Sequence, residues 1–116
     1  MKVLLLGATS PIARLLAMRF AADGSSVYLA ARDAGEAARI ASDMAIRTGA
    51  VVLSGPFDAA DFVSHASLVA RAAEELGGLD GVVLCFGTLG DEDAAQIDPD
   101  AALATIHQNF TGAVSI

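Results

Sequence analysis

The chain has 116 residues, of which 54% are hydrophobic, with seven basic residues against fourteen acidic ones and a formal net charge of −7. This suits one globular domain with ample material for a core, and an acidic balance without a basic cluster argues against nucleic acid and anionic membrane surfaces as partners. No apolar run approaches the ~20 residues that span a bilayer, the N-terminal run lacks a basic leader and a small-residue cleavage site, and the single Cys85 excludes an intrachain disulfide. The chain therefore reads as cytoplasmic.

Val3 to Leu6 is a continuous apolar run, the pattern of a parallel strand covered on both faces and lying in the middle of its sheet. Gly7 then permits a tight turn, and Pro11 suits a first helical turn, where a missing N–H costs little. The free N–H groups at that helix start form an anion site, and after a strand and a tight turn the usual anion is a nucleotide phosphate. Ile12, Leu15, Leu16 and Phe20 recur at helical spacing and predict the buried stripe of the first helix, which Gly24 closes. Val27 to Ala31 is the second strand, ending at Arg32 and Asp33. A second helix is predicted over Ala34 to Thr48, with Ala37, Ile40, Ala41 and Met44 inward and Gly49 as its stop.

Ala50 to Leu53 reads as a short third strand, followed by a turn cluster, Ser54-Gly55-Pro56, and by Phe57-Asp58. The third helix is predicted from about Ala60 to Leu76, with Phe62, Ala66, Val69, Ala73 and Leu76 as its stripe and Gly77-Gly78 as its end. Leu79 to Phe86 is a fourth, apolar and so central strand. Gly87 to Asp98 reads as a loop with a solvated acidic patch at Asp91, Glu92 and Asp93. A last helix starts near Pro99 with Asp98 as N-cap and Leu103, Ile106 and Phe110 inward. No cap follows Val114, so the sequence is expected to stop within that helix.

Strands and helices thus alternate four times, without internal repeats or a linker, over one domain spanning residues 1–116. The expected fold is α/β: a three-layer, doubly wound parallel sheet of four strands in the order 3-2-1-4, incomplete on the strand-four side. A ligand in such a sheet lies beyond the carboxyl ends of strands one and four, where the order reverses. Gly7, Arg32, Asp58 and Gly87 all fall at strand ends of that rim.

The residues Gly7-Ala8-Thr9-Ser10-Pro11-Ile12-Ala13 resemble the T-G-x-x-x-G-x-G turn of the short-chain dehydrogenase/reductase family, with Leu6, Pro11 and Ala13 departing from it. The resemblance covers the whole chain and implies a Rossmann-like NAD(P)-binding domain, with Gly7, Thr9, Ser10, Pro11 and Ile12 at the phosphates. The spacing also fits the G-x-x-G-x-x-A turn of the extended sugar-nucleotide branch, an epimerase or dehydratase alternative. Ala31 stands where NAD-preferring members carry an acidic residue, and a guanidinium at Arg32 can pair with a 2′-phosphate, which favours NADP; Asp33 beside it would partly neutralise that charge.

Asp58 matches the family's aspartate at the adenine amino group, with a helix N-cap as its structural alternative. Phe86 and Gly87 correspond to the end of the family's N-N-A-G segment, of which Gly87 alone is retained, and Asn109 resembles the asparagine whose carbonyl bends the fourth helix and holds a relay water. The implied activity is NADP-dependent carbonyl reduction or alcohol oxidation by hydride transfer on a small-molecule substrate, in a full-length protein expected to form homo-oligomers. Tyr28, the sole tyrosine, lies within strand two and has no lysine four positions on, so the family's Tyr-x-x-x-Lys pair is missing from these 116 residues and the chain alone is not expected to turn over. A non-catalytic dinucleotide-binding or redox-sensing module is the competing reading. No metal site is expected, because His65 and His107 lack ligand spacing. Cys85 reads as a small packed side chain, and strand four, without a further strand beside it, as an exposed apolar edge open to self-association.

Overall fold

A computed structural model describes residues 1–116. Its elements run β1 (Lys2–Leu6), α1 (Pro11–Ala22), β2 (Ser26–Ala31), α2 (Ala34–Thr48), β3 (Val52–Pro56), α3 (Phe62–Leu76), β4 (Gly81–Leu84), α4 (Glu92–Ile97), α5 (Pro99–Ile106), a π turn (His107–Thr111) and α6 (Gly112–Ser115). All strand pairs are parallel and the sheet order is β3-β2-β1-β4, as expected. Leu5 stands opposite Leu29 on one side and Val83 on the other.

Alternate residues of β1 and β2 feed two cores, which is why these strands read as unbroken apolar runs. Leu5, Val27, Leu29 and Ala31 pack against α1 and α2; Leu4, Leu6, Tyr28 and Ala30 pack against α3 and the segment holding Phe57 and Ala59. Helix α2 has the predicted bounds and the predicted stripe. Its N-cap Asp33 accepts from the Glu36 N–H, and Gly49 ends it in the left-handed region at φ 73°.

The faces of α1 and α3 differ from the expected ones. In α1 the buried residues are Ala13, Ala17 and Ala21, while Ile12 is 74% and Leu15 75% exposed and Leu16 and Phe20 sit at the margin of the core. Alanines every four residues let the helix backbone lie close on the sheet, so the larger side chains are turned outward, against their hydropathy. In α3 the inward set is His65, Leu68, Ala72 and Leu76, and Ala66 is exposed. Buried His65 is fully paired: Nε2 donates to the Asp58 carbonyl at 2.8 Å, and Nδ1 lies 2.9 Å from Ser115 Oγ. A ring satisfied at both nitrogens can occupy a core position that hydropathy alone would refuse.

Three further boundaries move. β3 continues through the supposed turn at Ser54-Gly55-Pro56. It is an edge strand, where proline's missing donor is tolerated, and a Cβ at Gly55 would collide with the Tyr28 hydroxyl. The expected loop at 87–98 contains α4, and the acidic patch is that helix's start: Asp91 caps it by accepting from the Ala94 N–H, with Glu92 and Asp93 in its first turn, where carboxylates complement the helix dipole. The last helix is broken by the π turn, and Leu103, Ile106 and Phe110 are exposed rather than inward. β4, apolar enough for a central strand, is an edge in this chain, with Val82 and Leu84 exposed.

Candidate functional site

The carboxyl ends of the strands carry a cavity of about 290 Å³ lined by Gly7, Thr9, Ser10, Arg32, Phe57, Cys85, Phe86, Gly87 and Gln108, among others. Gly7 shapes its floor. The turn requires φ +83° there, and a Cβ would lie 2.7 Å from the Cys85 carbonyl oxygen, so the β1 turn can cross the end of β4 only with glycine. Its N–H donates to the Ala30 carbonyl at 2.9 Å, which ties the turn to β2.

Ser10 is the N-cap of α1, its hydroxyl accepting from the Ala13 N–H at 3.2 Å, and Pro11 follows in the first turn. The N–H groups of Thr9 and Ile12 have no partner within the chain and stand at the positive end of the helix. Free donors at a helix start of this kind are able to hold an anion. Pro11 and Ile12 stay outside the cavity wall, so their contribution is to backbone geometry and one free donor.

Arg32 lines this cavity and a second one of about 320 Å³, in which it is joined by Asp58; Phe57 also borders both. The neutralisation expected from Asp33 does not occur as an ion pair: its carboxylate is turned to the Glu36 N–H at 2.9 Å, and Arg32 has no carboxylate within bonding distance. Asp58 is not the N-cap of α3, a place taken by Asp61. Its Oδ1 instead accepts from the Ala60 N–H at 2.9 Å, which leaves the second oxygen free.

At the opposite end of the rim, Asn109 sits in the π turn and grips Thr88 at both ends, accepting from the Thr88 N–H at 2.8 Å and donating to the Thr88 carbonyl at 2.7 Å. The clamp holds the segment after β4 against the helix. With the carboxamide so committed, any water-holding role belongs to a main-chain carbonyl, and the π turn, in which the Gly112 N–H reaches back to the His107 carbonyl, displaces the regular ladder there. Burial pushes the Cys85 thiol above its ordinary value, the direction that disfavours the thiolate. No group of three or more His, Cys, Asp or Glu could hold a metal ion.

Gln108, Phe57, Cys85 and Ala59 line the rim without having been expected there. Phe57 packs against Phe86 with the rings tilted by 54° and their centroids 5.1 Å apart. Only their position at a strand end or next to Asn109 could have marked them. Tyr28 is buried in β2, away from the cavities.

The profile of the short chain dehydrogenase family matches residues 1–116. Uncharacterized oxidoreductases of Mycobacterium tuberculosis and Streptomyces coelicolor are 37% and 36% identical over 114 and 113 residues, covering 98% and 97% of this chain but 45% and 44% of theirs. The chain thus spans less than half the length of these relatives. Among solved structures, a 3-ketoacyl-ACP reductase from Sinorhizobium meliloti is similar with TM-score 0.85 and 28% identity over 97% of this chain and 45% of its own. An actinorhodin polyketide ketoreductase with NADPH is similar with TM-score 0.86 and 25% identity over 98% and 44%.

Proposed function

The chain belongs to the short-chain dehydrogenase family, and we propose that residues 1–116 form the dinucleotide-binding part of an NADP-dependent oxidoreductase, cytoplasmic and homo-oligomeric, that acts on a small carbonyl or alcohol substrate. The observation that supports this best is the line of residues along one rim: the glycine turn and open helix N-terminus in the middle, Arg32 and Asp58 on one side, Gly87 and Asn109 on the other. Such a line suits an elongated ligand with an anionic centre and two different ends.

A nicotinamide dinucleotide, when bound, supplies or accepts the hydride. The chain's own residues bind and orient. The free N–H groups of Thr9 and Ile12 hold phosphate oxygens, Arg32 pairs with a 2′-phosphate, and the free oxygen of Asp58 accepts from the adenine amine. Gly87 lets the ribose approach the backbone at the end of β4. Asn109, through its grip on Thr88, fixes the wall beside the reacting end. The proton that accompanies hydride transfer needs a positioned acid or base, and Tyr28, buried in the sheet, does not serve. On this reading that group, and most of the substrate contacts, lie outside residues 1–116. The NADPH held by the similar polyketide ketoreductase agrees with the cofactor class.

Titration of the protein with NADPH and NADH, followed by nicotinamide fluorescence, tests the assignment. NADPH should bind at least about tenfold tighter, as one charge-assisted phosphate pair provides, and Arg32→Ala should abolish the difference. Equal affinities, or an NADH preference indifferent to Arg32→Ala, would overturn the role of Arg32 and with it the NADP assignment.

A further inference from the structure

Four of the six arginines are held by carboxylates: Arg14 and Arg39 share Glu36, Arg19 pairs with Asp23, and Arg47 with Asp43. Arg32 and Arg71 alone make no ion pair and no side-chain hydrogen bond, and the fold brings them, from the end of β2 and the outer face of α3, to the wall of the same 320 Å³ cavity. In a chain with twice as many acidic as basic residues, two unpaired guanidinium groups facing one space indicate an anion there.

The rest of the wall says what the anion is attached to. The Ser64 hydroxyl donates to the Asp61 carbonyl, and the Ser67 hydroxyl to the Ser64 carbonyl, so both offer only lone pairs to the cavity. With Asp58 and Asp61, every other polar side chain on the wall is an acceptor. The cavity thus suits a body that donates hydrogen bonds and carries a phosphate. Arg32 alone would face two carboxylates, leaving a phosphate dianion in a negative field; only with Arg71 do the cations balance Asp58 and Asp61.

We propose that Arg71 is a second specificity-determining residue, closing with Arg32 on the 2′-phosphate of the adenosine end. This rests on the nucleotide reading above and adds a contact from α3 to it. Both arginines are exposed, so their replacement spares the core.

Calorimetric titration of the whole chain with adenosine 2′,5′-bisphosphate and adenosine 5′-monophosphate separates the possibilities. Arg71→Gln should weaken the bisphosphate roughly tenfold and the monophosphate less than about twofold, Arg71→Lys should restore part of the loss, and Arg71→Glu should abolish any preference for the bisphosphate. Equal losses for both probes, or none for either, would overturn the role of Arg71. If the unaltered protein binds both probes equally, the phosphate clamp fails while the nucleotide site stands; if it binds neither probe nor NADPH, the nucleotide reading itself fails.

Discussion

Leu5 and Val83 stand opposite one another in adjacent strands, yet Leu5 is completely buried and Val83 is only partly so. β1 has a strand on each side and helices on both faces, whereas β4 has β1 on one side and no strand on the other. The contrast extends to whole regions. Beyond Leu76 the only buried residue is Gly112, and the large apolar side chains Val82, Leu84, Leu103, Ile106 and Phe110 are exposed. Apolar pattern is thus a demand for burial, and meeting it depends on what the fold sets alongside. The outer region is tied to the inner one by the β1–β4 ladder, by Lys2 on Asp80 and Gly77, by His65 on Ser115 and by Gly112 against Ala59, while Asn109 on Thr88 binds it to itself.

The contrast is most directly broken by paired truncations. Leu29→Ala should cost about 3 kcal/mol in chemical denaturation, because it empties a closed space, whereas Leu103→Ala should cost less than about 0.5 kcal/mol. Similar losses at the two sites would mean that the outer apolar surface is covered in solution. A smaller but still clear effect is expected where the two regions touch. A Cβ at Gly112 would lie 2.3 Å from the Ala59 carbonyl oxygen, so Gly112→Ala should push α6 from the segment that precedes α3 at a cost of about 1–3 kcal/mol, and hydrogen exchange should rise beyond β4 rather than in β1 and β2.

The smallest effect concerns the surface of the inner region. The hydrogen bond from Arg39, then the charges of Arg39 and Arg14, hold the Glu36 carboxyl below its ordinary value of 4.5. A depressed carboxylate stabilises the fold above that ordinary value and loses its contribution as the pH falls through the lower, folded one. Glu36→Gln should therefore lower the melting temperature at neutral pH by about 2 °C, as suits an exposed pair, and the gap should close in acid. A gap that widens in acid would contradict this linkage.

Helix α2 was legible because its stop at Gly49 and its stripe agree; its N-cap, Asp33, is supplied by the structure. α1 and α3 were legible as helices but not in rotation, since the sheet selected alanines for close approach and a histidine with two partners over larger hydrophobic residues. Gly55 and Pro56 carry turn signals that an edge position cancels, and Asp91 to Asp93 carry a loop signal that is a helix cap in three dimensions. Along the rim, Gly7, Ser10, Arg32 and Gly87 were readable because each sits at a strand end and has a chemical reason to be there. Gln108 and Arg71 were not, because each lies within a helix and reaches its cavity only through the packing of that helix on the sheet.

The sequence by itself determined the alternation of strands and helices, the parallel sheet, the order of its strands and the glycine turn at its centre, since these follow from local periodicity, backbone freedom and the handedness of crossovers. Only the tertiary structure decided which faces of α1 and α3 are buried, where Asn109 spends its hydrogen bonds, and that Arg32 and Arg71 share one cavity. Those outcomes depend on side chains far apart in the chain competing for the same space and the same partners, and no local pattern records which of them prevails.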